Sequence, residues 1–568
     1  MATVISDNIT SPLGLTTEQT YKAVREGKSG LSHYPCENGE GGWNDLPFPI
    51  EASLFSKEQW DKILVDGFSK FESLVLHSVK AALSTLIFNK ERAILILSST
   101  KGDIELLEKG EEMPSLADAA KKVSLAIGIE NDPIVVCNAC ISGVSAIILG
   151  QRLVDCGNYT HAIVCGADVQ SRFIVSGFQS LKALSDEPCR PFDIERLGLN
   201  LGEAAATIVL SREMNSPNGW KVDKGAVCND AYHISAPHLK GLGAGMALSK
   251  MKDADNPISV IGVHGTATMY NDQMESKAIE MADLQDVPLS ALKGYFGHTM
   301  GAAGVLETII MMRALEDNMI LSSKGFETCG VSGKVKMSDK SMTAEGNTFV
   351  KMLSGFGGCN GVVRVSNRPL PQIIDNDILV SQTHSVKITQ DEVVVDGSRL
   401  DVKSRGKEML TEVYKTKIGD YPKFYKMDML SRLAFVASEL LIESEGQRTL
   451  NSNPSTLDSS RAVILFNHSS SIIADRQYVK SIKKDDFFPS PAAFVYTLPN
   501  ITTGEIALRN GYHGETSFYL LAERNEKLMQ MVIKSTFIDH DIKSVIGGWI
   551  DCPSEDEFEC EISIFCKE

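Results

Sequence analysis

The chain has 568 residues, 43% hydrophobic and 23% charged, a balance that excludes disordered, collagenous and coiled-coil proteins. Its 56 lysines and arginines against 73 aspartates and glutamates leave a net charge of −17, which excludes a broadly basic nucleic-acid binder. No apolar run reaches the roughly 18 residues of a membrane span. The opening MATVISDNITSPLG lacks the basic start and apolar core of a secretion signal, so a cytoplasmic location is expected.

In chain order, short β-branched runs alternate with amphipathic stretches, the pattern of an α/β protein with buried strands. Strands are predicted at 92–99, 132–139, 161–168, 203–211 and 256–265, and helices at 69–86, 140–156 and 301–316. A first domain is expected over 1–366, with halves of about 1–211 and 212–366. NRPLPQIIDNDILVSQ brings two prolines and loses periodicity, which marks 367–385 as a linker before a second domain at 386–568.

The second domain echoes the first. FSKFESLVLHSVKAAL followed by RAILILSSTKGDI (68–104) matches FYKMDMLSRLAFVASEL followed by RAVILFNHSSSII (424–473), an amphipathic helix and then a strand opening with Arg-Ala. A third match is HAIVCGAD (161–168) with SVIGGWID (544–551). The second domain reads as a copy of the first half of the first.

Twelve cysteines in this length are too few for a disulfide scaffold and are expected as reduced thiols. Cys137 and Cys140 form a Cys-x-x-Cys pair without a second pair or a Cys/His group at zinc spacing, so no metal is expected. GLGAG (241–245) stops short of a dinucleotide loop, and no phosphate loop is present.

Cys140 closes a strand and opens an apolar helix, whose free amides and positive dipole end favour a thiolate and an oxyanion. Such a cysteine is either a packed core thiol, the role given to Cys137 within the strand, or a nucleophile. His264 in VHGTAT and His298 in KGYFGHTMGAAG, five residues after Lys293, are expected at strand ends. Their spacing of 298 − 264 = 34 residues suits a strand–helix–strand unit returning to one sheet edge. Cysteine, His-Gly-Thr and Lys-x4-His in this order point to one active site. GFGGCNG (355–361) is either a plain β-turn or a turn whose glycines let amides approach a substrate with Phe356 as a movable gate.

Six segments carry a family resemblance: NACISG, CRPFDIERLGLNLGEAA, NDAYHISAP, VHGTATMYNDQMESKAI, KGYFGHTMGAAGVLE and SGFGGCNG. Through them the first 366 residues resemble a β-ketoacyl-acyl-carrier-protein synthase of the elongating type, a condensing enzyme of the thiolase superfamily. The resemblance implies a thiolase-like αβαβα layered fold, followed here by a second, incomplete thiolase-like α/β domain. It implies acyl transfer to Cys140 and then decarboxylative condensation with a malonyl thioester, in fatty acid or polyene/polyketide biosynthesis. His264 and His298 would donate hydrogen bonds to the developing enolate. Lys293 and Glu307 would form a buried supporting pair, with the Cys140 and Phe356 amides as the oxyanion hole. Thr266, Thr268, Gly357 and Gly358 would be supporting residues. No cofactor is implied, because acyl groups arrive on the phosphopantetheine of the acyl carrier protein, the expected partner.

The sequence also departs from the family. A Pro-Asn…Gly segment that shapes the acyl pocket and dimer contact is missing between KGDIELLEKG and DPIVVCNAC, but the second domain has one at Pro499, Asn500 and Gly504. FYLLAE (518–523) aligns with the strand before the nucleophile, and Glu523 falls about where the cysteine would be. The second domain is therefore expected to be inactive, to pack on the first domain of its own chain or of a second copy, and to complete the pocket wall. The alternatives are a non-catalytic partner subunit resembling chain-length factors, and a thiolase acting on acyl-CoA with Cys359 as its second cysteine.

Overall fold

The computed structural model describes all residues except 1, 38–41, 214–218, 369–377, 447–457, 484–486 and 488. Fifteen of its strands form three sheets of one design. The first comprises β1 (Thr3–Thr10), β2 (Ala93–Ser98), β3 (Ile134–Val136), β4 (His161–Asp168) and β5 (Ala204–Ser211), in the spatial order β3-β2-β4-β5-β1. β5 runs antiparallel to its two neighbours. The second comprises β6 (Lys221–Asn229), β7 (Val260–Gly262), β8 (Leu289–Ser290), β9 (Thr348–Gly355) and β10 (Cys359–Ser366), in the order β8-β7-β9-β10-β6. The third comprises β11 (Val380–Ile388), β12 (Arg461–Asn467), β13 (Thr516–Leu520), β14 (Ser544–Asp551) and β15 (Glu559–Lys567), in the order β13-β12-β14-β15-β11.

The helices fill the layers. α1 (Lys70–Leu83) starts at a capping box in which Ser69 and Glu72 satisfy each other's backbone amides, and with α2 (Leu116–Ala126) it covers the outer face of the first sheet. α3 (Ser142–Asp155) and α4 (Ala303–Glu316) lie between the first and second sheets. Every residue of α3 is buried; its sequence is apolar or small up to Gly150, and the buried polar residues beyond are paired, Gln151 with Asp155 and Arg152 with Glu515. The two helices approach closely at Gly143 and Gly304. A Cβ on Gly143 would fall 2.9 Å from the Gly301 carbonyl, and one on Gly304 2.4 Å from the Val144 nitrogen. The 366-residue unit is thus layered αβαβα.

The third sheet has its own outer helices, α5 (Met429–Ser444) and, after the short α6 (Pro491–Tyr496), α7 (Ile501–Asn510). Its inner helix, α8 (Glu526–Thr536), packs on α3. Among the described residues no second half covers α8, and its outward positions Lys527, Gln530 and Lys534 are exposed and polar. The first and third sheets join edge to edge: β13 pairs antiparallel with β3, Tyr519 opposite Val136 and Leu520 opposite Val135. Past the strand end, the Cys137 amide donates to the Phe518 carbonyl at 3.0 Å. The Arg152–Glu515 ion pair (2.8 Å) crosses the same junction, both side chains only 3% exposed.

Several boundaries differ from the sequence expectation. The linker does not extend to 385, because β11 begins at Val380 and pairs with β15 along its length. Prolines obscured that strand by suggesting a longer irregular stretch. The strands expected at 132–139 and 256–265 shrink to β3 and β7, since their flanks turn into loops that carry the site. Cys137 consequently lies just past the strand. None of the twelve cysteines is in a disulfide.

Candidate active site

The site forms where α3 and α4 begin. After β3 the chain turns through Ala139, which holds a left-handed φ of 48°, into a helical turn at Ala139–Ile141 and then α3. Ser142 Oγ fixes this elbow by accepting from the Asn138 amide (2.8 Å) and donating to the Ala139 carbonyl (2.6 Å). The third sheet braces it: Asn138 Oδ1 accepts from the Phe518 amide at 2.7 Å, and Asn138 Nδ2 donates to Ser517 Oγ at 3.1 Å. Cys140, at the top of the elbow, is half-buried. Burial pushes its thiol up to about 12, outweighing the opposing charge of Lys293. The resting side chain is therefore a thiol, not the thiolate that the helix dipole suggested, because loss of water costs the anion more than one helix terminus returns.

Both histidines converge on this thiol. His298 Nε2 lies 3.1 Å from Cys140 Sγ, and the His264 and His298 rings meet edge to face with centroids 5.1 Å apart. The Met300 amide donates to His298 Nδ1 (3.3 Å), which places the ring proton on Nε2, facing the site. His264 follows β7 closely, as expected. His298 does not end a strand: it follows a short helix at Lys293–Phe296 and sits in extended backbone beside Leu201. Burial and the charges of Lys293 and Lys351 hold both imidazoles well below the usual histidine range. Both are neutral donors near neutral pH.

A buried ionic cluster supports them. Lys293 Nζ binds Glu307 Oε1 at 2.5 Å, the pair anticipated from the sequence, and Lys351 Nζ binds Glu307 Oε2 at 2.6 Å. Lys351 also donates to the carbonyls of Gly262 (3.1 Å) and Val263 (2.7 Å), fixing the approach to His264. Glu275 accepts the amides of His264 (2.6 Å) and Gly265 (2.8 Å), and its carboxyl is pushed up to about 7 by burial and then by Asp272. Sequence reasoning missed Lys351 and Glu275. Glu275 follows His264 by 11 residues on the next helix, Met269–Met281, a spacing that could have flagged a carboxylate turned back onto the His-Gly turn.

The GFGG turn joins β9 to β10. A Cβ on Gly355 would lie 3.3 Å from the Cys140 nitrogen, so the turn rests on the elbow, and the Phe356 ring stacks on Phe178. A cleft of about 320 Å³ leads outward from Cys140, lined by His264, His298, Thr266, Thr268 and Gly358 among others, with Met269 and Tyr270 exposed at its mouth. Behind Phe356 a narrow cavity of about 20 Å³ also touches Cys140. Its wall from the second domain is Phe494 and Leu498, not the expected Pro499, Asn500 and Gly504. Pro499 is buried in the turn between α6 and α7. Asn500 and Gly504 instead meet the gate: Asn500 Nδ2 donates to the Phe356 carbonyl at 2.7 Å, and a Cβ on Gly504 would fall 2.6 Å from the Gly357 carbonyl. The physical reason is helical phase. The N-terminal turn of α7 points at the GFGG peptides, which leaves the preceding turn to face the cavity.

Sγ of Cys140 and one nitrogen from each histidine lie within 4.8 Å of one another, the one such trio among the described residues that could hold a cation. The raised thiol and two nearby buried ammonium groups oppose that use. Cys359 is 1% exposed, with its Sγ 3.2 Å from the Phe356 carbonyl, tucked behind the gate as a packing residue.

Known proteins resemble this chain in sequence and in fold. Residues 83–215 match the β-ketoacyl synthase N-terminal domain and 221–327 the β-ketoacyl synthase C-terminal domain. The 3-oxoacyl-[acyl-carrier-protein] synthase 2 of Vibrio cholerae serotype O1 is 29% identical over 410 residues, spanning 62% of this chain and 95% of that protein. Nodulation protein E of Rhizobium leguminosarum bv. trifolii is 32% identical over 241 residues, 40% of this chain and 59% of that one. Among solved structures, the PfaC keto synthase–chain length factor covers all of this chain and 78% of its own, with a TM-score of 0.75 at 15% identity, a likeness of fold. The ketosynthase ApeO in complex with its chain length factor ApeC, from Xenorhabdus doucetiae, is 25% identical with a TM-score of 0.52 over 64% of this chain and 98% of that one.

Proposed function

Because the chain belongs to the β-ketoacyl synthase family and is a β-ketoacyl-acyl-carrier-protein synthase, an acyltransferase of the condensing type, we infer that Cys140, His264 and His298 carry its chemistry. The observation that carries this reading is the 3.1 Å contact between Cys140 Sγ and His298 Nε2, with the His298 tautomer set by the Met300 amide.

In the first half-reaction Cys140 sulfur attacks the carbonyl of an acyl thioester brought by acyl carrier protein. The Nε2–H of His298 steadies the sulfur as its proton leaves, and the oxyanion forms against the amides of Cys140 and Phe356. Collapse expels the phosphopantetheine thiolate, which takes up a proton, so no net proton is consumed. In the second half-reaction a malonyl thioester loses carbon dioxide. Its enolate oxygen is held by N–H donors of His264 and His298, two neutral groups in a site where donors act strongly. The enolate carbon attacks the acyl-Cys140 carbonyl, and collapse returns the thiolate, which regains a proton as the β-ketoacyl product leaves. No metal or organic cofactor takes part in this scheme.

The cleft mouth suits a carrier protein: exposed Leu197, Met269 and Tyr270 surround the entrance, and Lys182 lines it with a charge that an acidic partner would meet. The thiolase reading loses its second cysteine to the packing role of Cys359. The partner-subunit reading fits the third sheet, which has no cysteine at the position matching Cys140.

Acylation tests the assignment. Cys140→Ser should accept no acyl group from acyl carrier protein by intact mass. His298→Ala should still be acylated on Cys140 yet decarboxylate malonyl carrier protein on the order of 10²–10³ more slowly, the usual cost of one oxyanion donor. A folded His298→Ala variant with the parent decarboxylation rate would refute its role.

A further inference from the structure

The cavity behind the gate has a charged residue in its lining. Its walls are apolar, formed by Ile174, Phe178, Met300, Phe356, Phe494 and Leu498, but Thr100 and Lys101 also line it. Lys101 is 5% exposed and its Nζ binds Asp475 Oδ1 of the second domain at 2.5 Å; Asp475 is 3% exposed. Lys101 Nζ also donates to the Thr497 carbonyl, to which Ser471 Oγ donates as well, and lies 5.4 Å from the Phe173 ring centroid. A buried ion pair contributes little net stability against an apolar pair of similar size, so its place in an apolar pocket calls for a role in selecting what enters.

We propose that the Lys101–Asp475 pair is the floor of the acyl cavity and restricts the group accepted on Cys140 to a short acyl chain. This rests on the reading of Cys140 as the acylated residue. The cavity of about 20 Å³ holds little more than one water. Rotation of Phe356 would add room beside the thiol, but none past Lys101. A longer chain would press methyl and methylene groups on the ammonium and carboxylate and pull them from their partners, where no water replaces the lost bonds. Because the two charges come from different domains, the second domain sets chain length through Asp475 as well as through the packing of Phe494 and Leu498.

The test is acylation of the full chain by acetyl-, butyryl-, octanoyl- and dodecanoyl-loaded acyl carrier protein, read by intact mass and localised to Cys140. The wild-type protein should take acetyl and butyryl groups at least tenfold faster than octanoyl, with dodecanoyl slower still. The double variant Lys101→Met, Asp475→Leu removes both charges together, leaves neither unpaired, and should narrow the butyryl-to-octanoyl ratio at least tenfold. Wild-type acylation by octanoyl as fast as by butyryl overturns the proposal without any variant, as does a double variant that melts cooperatively yet keeps the wild-type ratio. Failure of every chain length to label Cys140 overturns instead the assignment of the nucleophile on which the proposal stands.

Discussion

The first and third sheets share one strand order and one set of supports, yet only the first carries chemistry. Asp168 accepts the Thr100 amide at 3.1 Å, and in the third sheet Asp551 accepts the Ser469 amide at 3.0 Å, the matching residue when Arg92 is set on Arg461. Val136 stands opposite Ser98 as Leu520 stands opposite Asn467. By that register the counterpart of Cys140 is Arg524, one residue beyond Glu523. Arg524 faces outward, bound to Glu526 (2.6 Å) and Glu561 (3.0 Å). The deficits are complementary. Between β2 and β3 the first sheet has a five-residue helix, Ile104–Glu108, and α2, whereas between β12 and β13 the third has a helix at Ile472–Val479 and then α6 and α7, and these last two reach the gate and the cavity of the first. The third sheet supplies an edge strand and a pocket wall, and the first supplies the nucleophile.

The most severe way to break this comparison is to remove the copy. Residues 1–366 alone would expose the β3 edge, the buried charge of Arg152 and the apolar surface that meets Phe494. An open edge beside an apolar face is a template for association. The truncated protein should aggregate or lose condensing activity, by gel filtration and product assay, with recovery on adding residues 378–568. A soluble, fully active truncated protein with unchanged product length would show that the copy is merely tethered.

A single atom group probes the same junction. Glu515→Ala leaves the Arg152 guanidinium buried without its counter-ion, which typically costs about 3–5 kcal/mol. Thermal or denaturant unfolding should show that loss across both domains in one transition. Two separate transitions, with only the second shifted, would mean that the domains unfold independently.

Thiol titration sharpens the contrast between Cys140 and its buried neighbour. Since the Cys140 thiol is raised to about 12 against an ordinary cysteine near 8.5, its thiolate fraction stays small through the neutral range. Alkylation by iodoacetamide should therefore rise about tenfold per pH unit from 7 to 10 without levelling off. Cys137, 1% exposed and also raised by burial, should lag at every pH. A plateau near pH 8 at Cys140 would indicate an activated resting thiolate.

Much of this was legible in the sequence because it lies in local runs. The helices at Lys70–Leu83, Ser142–Asp155 and Ala303–Glu316 announce themselves by continuous apolar periodicity, and His161–Asp168 is a strand to the residue. Cys140, His264, Lys293 and His298 stand in motifs whose order is fixed along the chain. Lys351 and Lys101 were invisible for the opposite reason. Lys351 looks like an ordinary charged residue within a strand and Lys101 like one just past a strand, and only long-range packing shows Glu307 and Asp475 waiting for them. Pairing across 374 residues, as between Lys101 and Asp475, leaves no periodic trace.

The smallest effect tests the finest contact between copy and site. Asn500 is 2% exposed, and its Nδ2 donates to the Phe356 carbonyl, the peptide that also carries the amide of Gly357. Gly357 is held on its other side by its own amide donating to the Ile234 carbonyl (2.7 Å) and by Asn229 Nδ2 donating to its carbonyl (2.8 Å). Loss of one bond among these leaves the turn in place but loosens it, at about 0.5–1.5 kcal/mol for the bond itself. Asn500→Ala should therefore slow acylation of Cys140 several-fold, with little change in melting temperature, because Phe356 leaves its stacked position on Phe178 more readily and its amide is less well aimed. Asn500→Asp keeps the shape but turns the donor into an acceptor facing a carbonyl, and should be worse than the alanine variant. If the aspartate variant acylates as fast as the parent, the second domain does not act on the gate through this residue, and its contribution to the site reduces to the pocket wall.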